Sequence, residues 1–259
     1  MFFRWWRDRR RRRLSTEPFP AEWLRIIEGN CRHFAGLNNS EQMRLLRDTR
    51  WFLAEKKIQG AFGLTLTDEM RVTIAAHASL MGLGFPDPPF DRLISVIVRS
   101  ESYVMQTSRS YGAGLEIVSN EARIGEAWRH GPVVLSWEDI QQQCRDEPDG
   151  RNVILHEFAH LLDMLNVEID GVPVLNSDRQ YREWKEVTGA EYARLVRETE
   201  RGRETLIDPY GAESPIEFFA VVSECFFEEG AELEEEHPGL YKVFRDYYRQ
   251  DPARRSVSF

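Results

Sequence analysis

The sequence predicts an α+β fold: a small sheet flanked by helices and preceded by an N-terminal helical region. Three observations predict it. Apolar residues recur at helical spacing through residues 18–83. Three short runs rich in β-branched residues follow, at 93–98, 115–118 and 132–137. From Asn152 to the end the pattern is mainly helical again, so strands and helices segregate along the chain. The 259 residues suffice for one large domain, or for a catalytic domain with a smaller helical partner.

Residues 1–16 read as a disordered basic arm. Residues 1–13 carry seven arginines (Arg4, Arg7, Arg9, Arg10, Arg11, Arg12 and Arg13) against one acid, Asp8, a net +6. The whole chain carries −9, which leaves −15 on the remainder. So acidic a body argues against nucleic acid as a partner. Phe2, Phe3, Trp5 and Trp6 interleave with the arginines. That composition suits a membrane surface or an acidic partner, and a plain solvated tail explains it as well.

Residues 17–90 form the helical region. Ser40 is the expected N-cap of a helix whose apolar face is Met43, Leu45, Leu46, Trp51, Phe52 and Leu53. Thr67 caps the next helix, with Met70, Ile74, Ala75 and Leu80 inside and Gly82 near its end. His77 lies in that helix, where a lone histidine is more often packed or exposed than a ligand. Pro86, Pro88 and Pro89 then break the pattern.

Residues 91–259 hold the strand runs, a short helix or turn opening at Asp139-Ile140, and the long helical remainder. The acidic run at 232–236 reads as a solvated loop. The three cysteines, Cys31, Cys144 and Cys225, are odd in number and far apart, so neither a disulfide framework nor a CxxC metal knuckle is expected. No apolar run approaches the roughly 20 residues that span a bilayer, and the N-terminus lacks a signal-peptide core. A cytoplasmic location is the expectation.

The chemistry is concentrated in His156-Glu157-Phe158-Ala159-His160. Residues 153–165 read as a helix, and histidines four apart project from one face. Two such imidazoles reach one tetrahedral zinc ion, and the glutamate after the first can take a proton from its water. Zinc needs a third protein donor. A histidine six residues past His160 is excluded, because Asn166 stands there. A glutamate on a later helix remains. Residues 215–227 are almost wholly apolar, with Ser214 at the N-cap and Pro215 at the first position. Glu217 and Glu224 lie seven residues apart within them, hence on one face. Glu217 is the expected third ligand, the competing reading being a partner of the helix dipole. Glu224 either supports a ligand from behind or is itself the ligand. Asp163, one turn past His160, either accepts the second N–H of a ligand histidine or is an exposed helix residue. Tyr210, in a turn seven residues before Glu217, has a phenol that could stabilise an oxyanion.

These residues together resemble the Mlc titration factor A family of zinc metallopeptidases. The resemblance spans the chain beyond the basic arm. It is strongest at Gly131-Pro132-Val133-Val134-Leu135-Ser136-Trp137 with Asp139-Ile140-Gln141, and at His156-Glu157-Phe158-Ala159-His160 with Asp163. Tyr210, the block Glu217-Phe218-Phe219-Ala220-Val221 with Ser223-Glu224, and Gln250-Asp251-Pro252 complete it. The family's core is similar to the anthrax lethal factor peptidase domain, which implies a zincin-like core. The resemblance implies zinc ligands at His156, His160 and Glu217, Glu157 as general base, and Tyr210 in the lethal-factor-like tyrosine position. It further implies a cytoplasmic enzyme with aminopeptidase-type activity on peptide substrates. The enterobacterial member also binds the repressor Mlc, so a transcriptional repressor is a second candidate partner and repressor binding a second candidate function. The strand ending at Trp137 could pair with an extended substrate, although a plain core strand explains it equally well.

Overall fold

The computed structural model describes residues 2–101, 132–146, 149–166 and 169–255. Helices α1 (Phe2–Thr16), α2 (Ala21–Asn30) and α3 (Asn39–Glu55) lead into strand β1 (Lys57–Gly60). Helix α4 (Asp68–Gly82) then returns the chain to β2 (Ser95–Arg99). Strand β3 (Val133–Ser136) runs directly into α5 (Trp137–Arg145). Five helices follow: α6 (Val153–Asp163), α7 (Asp178–Glu200), α8 (Pro215–Glu228), α9 (Gly230–Glu236) and α10 (Pro238–Tyr248). The result is mixed helix and strand, with a small parallel sheet.

Helix starts follow local side-chain chemistry. Asn38, rather than Ser40, caps α3. Its Oδ1 accepts from the backbone N–H groups of Ser40 and Glu41, and Glu41 Oε2 accepts from Asn38 N–H at 3.0 Å. Glu41, three residues on, completes the reciprocal pair for Asn38, whereas Ser40 has Met43 at that spacing and cannot form one. Thr67 caps α4 as expected, Oγ1 accepting from Met70 N–H at 3.2 Å. Ser136 ends β3 and caps α5 at once, so Trp137 is the first residue of a helix and not the last of a strand.

The three strands pair in the order β1-β2-β3, all parallel, with Ile58 beside Val96 and Val98 beside Leu135. Ile58, Val96, Val98, Val133 and Leu135 are all buried. β1 lies inside the stretch read as wholly helical. With one apolar residue in Lys-Ile-Gln-Gly, it carries no strand pattern of its own. Its pairing with β2 also means that the division expected at residue 90 runs between two strands of one sheet. One core is shared across that line, from Ile27 through Val96 to Tyr248. The strand expected at 115–118 lies outside the described residues. Cys31, Cys144 and Cys225 are free. His77 is packed, its Nδ1 2.9 Å from the Thr73 carbonyl. No helix among the described residues is long and apolar enough to cross a membrane.

Two expectations fail for tertiary reasons. The basic arm is not disordered but forms α1. Arg11 is 8% exposed and pairs with Glu55 through two hydrogen bonds of 2.6 Å and with Asp91 at 2.8 Å. Arg7 reaches Asp91 at 2.6 Å, and Trp51 Nε1–H donates to the Arg11 carbonyl at 3.2 Å. The partners come from α3 and the proline-rich connection, too distant in sequence to be read from the arm. The acidic run is the helix α9, held by burial of Leu233 among its glutamates.

Glu228, at the end of α8, is the main polar tie in the interior. Its side chain is 3% exposed and lies 3.1 Å from His33 Nε2 and 3.8 Å from Arg32 Nε. It also accepts from Asn152 Nδ2 at 2.7 Å. Burial alone would push its carboxyl up, but His33, Asn152 and Arg32 outweigh burial and hold it at about 2 instead of 4.5. A folded-state value below the unfolded one stabilises the fold fully above about pH 4.5, and the contribution is lost as pH falls towards about 2. Glu228→Gln should therefore cost about 3 kcal/mol at neutral pH. In urea unfolding curves the gap between wild type and variant should close on acidification through that window.

Candidate metal centre

Helix α6 is set in place at its first turn. Asn152 Oδ1 accepts from Leu155 N–H at 3.1 Å, and Gln143 of α5 accepts from Val153 N–H at 2.9 Å. The apolar side of α6 (Ile154, Leu155, Phe158, Ala159 and Leu162) is fully buried. α6 lies against α8, α4 and β3. The opposite side presents His156 and His160 to α8. There Ser214 Oγ accepts from Glu217 N–H at 3.2 Å and fixes the first turn that carries Glu217.

Three donor atoms meet. His156 Nε2 is 3.2 Å and His160 Nε2 3.4 Å from Glu217 Oε2, and the two nitrogens are 3.1 Å apart. Donors about 2.0–2.1 Å from a tetrahedral zinc stand roughly 3.3 Å from one another. The observed triangle has that size. Glu217 Oε2 is buried with no hydrogen-bond partner, as an atom meant for a cation would be. Among the described residues this is the one cluster of histidine, cysteine and carboxylate side chains with metal-ligand spacing. The residues fit a zinc ion.

Electrostatics agree. Burial pushes the Glu217 carboxyl up, but the imidazoles of His156 and His160 beside it hold it at about 2. Burial likewise opposes the charge on His156, yet Glu217 on one side of the ring and Glu224 on the other raise it to about 10.

Glu224 stands behind His156. Its Oε1 is 2.7 Å from His156 Nδ1, and its Oε2 accepts from Asn152 N–H at 2.6 Å. It therefore orients the ring and leaves Nε2 to Glu217's side, and it is not one of the converging donors. Glu157 is partly buried, and burial pushes its carboxyl above the ordinary range. Tyr210 is 46% exposed, with its ring centre 6.0 Å from that of His156. Asp208 holds its turn, accepting from Tyr210 N–H at 2.8 Å and pairing with Arg151 at 2.6 Å.

Asp163 departs from both readings made of it. It is fully buried, and no hydrogen bond joins it to His160. Its Oδ2 accepts from Gly171 N–H at 3.1 Å, while its Oδ1 and His160 Nδ1 are both without partners. Gly171 has φ +77°, and a Cβ there would fall 2.2 Å from the Pro215 carbonyl oxygen. Asp163 thus pins a loop under the start of α8. Gly171, Asn152 and Gln143 escaped the sequence reading, although the Asp170-Gly171 pair is a turn signal that marks the first of them.

The sequence profile of one family, described as glucose-regulated metallo-peptidase M90, matches residues 3–249. The chain belongs to that family. Among its relatives, an uncharacterized protein of Synechocystis sp. is 37% identical over 248 residues, covering 95% of this chain and 90% of that protein. Mlc titration factor A of Pectobacterium atrosepticum is 32% identical over 228 residues, covering 87% and 85%. Its counterpart in Edwardsiella ictaluri is 33% identical over 228 residues, covering 85% of each chain. M90 membership makes the chain a metallopeptidase, and the triangle on α6 and α8 is where its metal is to be sought.

Two outcomes test the centre. Zinc uptake at pH 7 should release about one proton per ion, because His156 must give up its proton; calorimetry in buffers of differing ionisation enthalpy reads this directly. Glu224→Ala should weaken zinc binding about 10–100-fold while leaving the three donors in place.

Proposed function

We propose that this M90 chain is a zinc-dependent peptidase with a zincin-like core, its metal held by His156, His160 and Glu217. The observation that carries the reading is the donor triangle, sized for a tetrahedral ion and built from two separate helices. Zinc bound there would act as a Lewis acid on the scissile carbonyl and make a water molecule acidic near neutrality. Glu157 is then the general base. It takes the proton of the attacking water as the C–O bond forms, and delivers it to the amine nitrogen as the C–N bond breaks. A carboxyl raised by burial suits both halves of that transfer. The Tyr210 phenol, on the His156 side of the site, donates to the carbonyl oxygen as charge develops on it. Glu224 keeps the His156 ring aligned.

Among the described residues no strand pairs with the outer edge of β3. An extended peptide substrate adding to that edge would lie beside α6. Aminopeptidase-type activity and a cytoplasmic location rest on the family resemblance. Peptides with free and with blocked N-termini, assayed side by side, decide the first. A second reading, in which the chain binds a transcriptional repressor, rests on the family resemblance alone.

One set of variants separates these readings. Glu157→Gln should retain zinc and lose about 10²–10⁴-fold in peptide hydrolysis. Tyr210→Phe should lower kcat about 10²-fold with little change in KM. Glu217→Ala should lose both metal and activity. Hydrolysis by Glu157→Gln at the wild-type rate would remove the peptidase mechanism, whereas repressor binding unchanged in that variant would establish binding as an independent function.

A further inference from the structure

Helix α1 has two faces with different tasks. Arg7, Arg11 and Leu14 share the face laid on the protein, where Asp91 and Glu55 neutralise the two arginines. The opposite arc carries Trp5, Trp6, Arg9, Arg10, Arg12 and Arg13, all exposed. Trp5 and Trp6 are 53% and 61% exposed, ring centres 5.1 Å apart, with the Arg9 guanidinium 5.4 Å over Trp5. Two adjacent indoles in water gain nothing from the fold that carries them. The anchoring through Arg11 holds the arc outward, since turning it inward would break the Arg11 pairs.

We propose that this arc is a docking surface for an anionic lipid bilayer. The indoles sit at headgroup level, and the four arginines meet lipid phosphates. Tryptophan is amphipathic and favours the membrane interface, and long arginine side chains reach phosphates while their stems stay apolar. Charge complementarity selects anionic lipid: the arm is net +6 on a body of −15, and screening at physiological salt confines the body's repulsion to about 8 Å. Nucleic acid is the weaker fit, because four arginines release few counterions and two side-by-side indoles are superfluous for phosphate binding. The inference concerns a surface apart from the metal centre and does not depend on the peptidase mechanism.

The test is co-sedimentation of the full chain with vesicles of phosphatidylcholine mixed with phosphatidylglycerol, against vesicles of phosphatidylcholine alone. Wild type should pellet with the mixed vesicles at low salt, release at high salt, and stay in solution with the neutral ones. Trp5→Ala/Trp6→Ala, and separately Arg9→Gln/Arg10→Gln/Arg12→Gln/Arg13→Gln, should each lower the partition coefficient about tenfold or more. Thermal midpoint and peptide hydrolysis should not change, since none of these side chains supports the core or the metal site. Brominated lipid in the mixed vesicles should quench part of the wild-type indole emission, a readout that needs no variant. Pelleting that ignores phosphatidylglycerol, an indole-free variant that binds like wild type, or a single-stranded oligonucleotide bound more tightly than vesicles would each overturn the proposal.

Discussion

One stripe of glutamates on α8 organises the rest of the molecule. Glu217, Glu224 and Glu228 are seven and four residues apart, so their side chains leave the helix in nearly the same direction. All three point at the first turns of α6. Glu228 holds the Asn152 side chain, Glu224 holds the Asn152 amide and the His156 ring, and Glu217 meets the imidazoles. Carboxylates buried in an apolar helix are costly unless matched by charge or donors. Here each is matched, and the matching fixes how α6 and α8 lie against one another. A slip of one residue would leave three unpaired charges in the core.

This arrangement links stability to chemistry. Asn152 is an N-cap, the partner of two glutamates, and the residue one turn before His156. Gln143 and Asp163 extend the same logic, tying α5 to the start of α6 and the Gly171 loop to the start of α8. The His156 ring is therefore held from behind by Glu224, and the helices that carry the three converging side chains are tied at their starts by Gln143, Asn152 and Ser214. Rigid support of this kind keeps donor atoms at coordination spacing and spares an incoming ion the cost of ordering them.

The N-terminal helix shows a different use of charge. Seven arginines in thirteen residues would repel one another in an isolated helix. Pairing Arg7 and Arg11 with Asp91 and Glu55 relieves part of that repulsion and leaves the others in solvent. Arg11, Glu55 and Asp91 also line a small pocket of about 30 Å³ together with Phe52 and Phe90. Both phenylalanines pack on Phe158, the neighbour of Glu157, with ring centres 5.9 and 4.8 Å away.

The residues that meet at the candidate centre were legible in the sequence, because their signals are local. Histidines four apart on an apolar helix, a capped apolar helix with buried acids, and turn residues around Tyr210 each depend on spacing within one element. That the chain mixes helices with a small sheet followed from periodicity for the same reason, whereas the parallel pairing of its strands did not. What tertiary structure decided were the matters of partnership. β1 is a strand only because β2 lies beside it, and α1 is a docked helix only because Glu55 and Asp91 receive its arginines. Glu224 orients a histidine, rather than joining the donors, because the α6–α8 approach puts it at Nδ1. Asp163 turned to a loop glycine eight residues on rather than to the histidine one turn before it. Each outcome is a choice among pairings of comparable local energy, settled by which groups the packed core brings within hydrogen-bond distance.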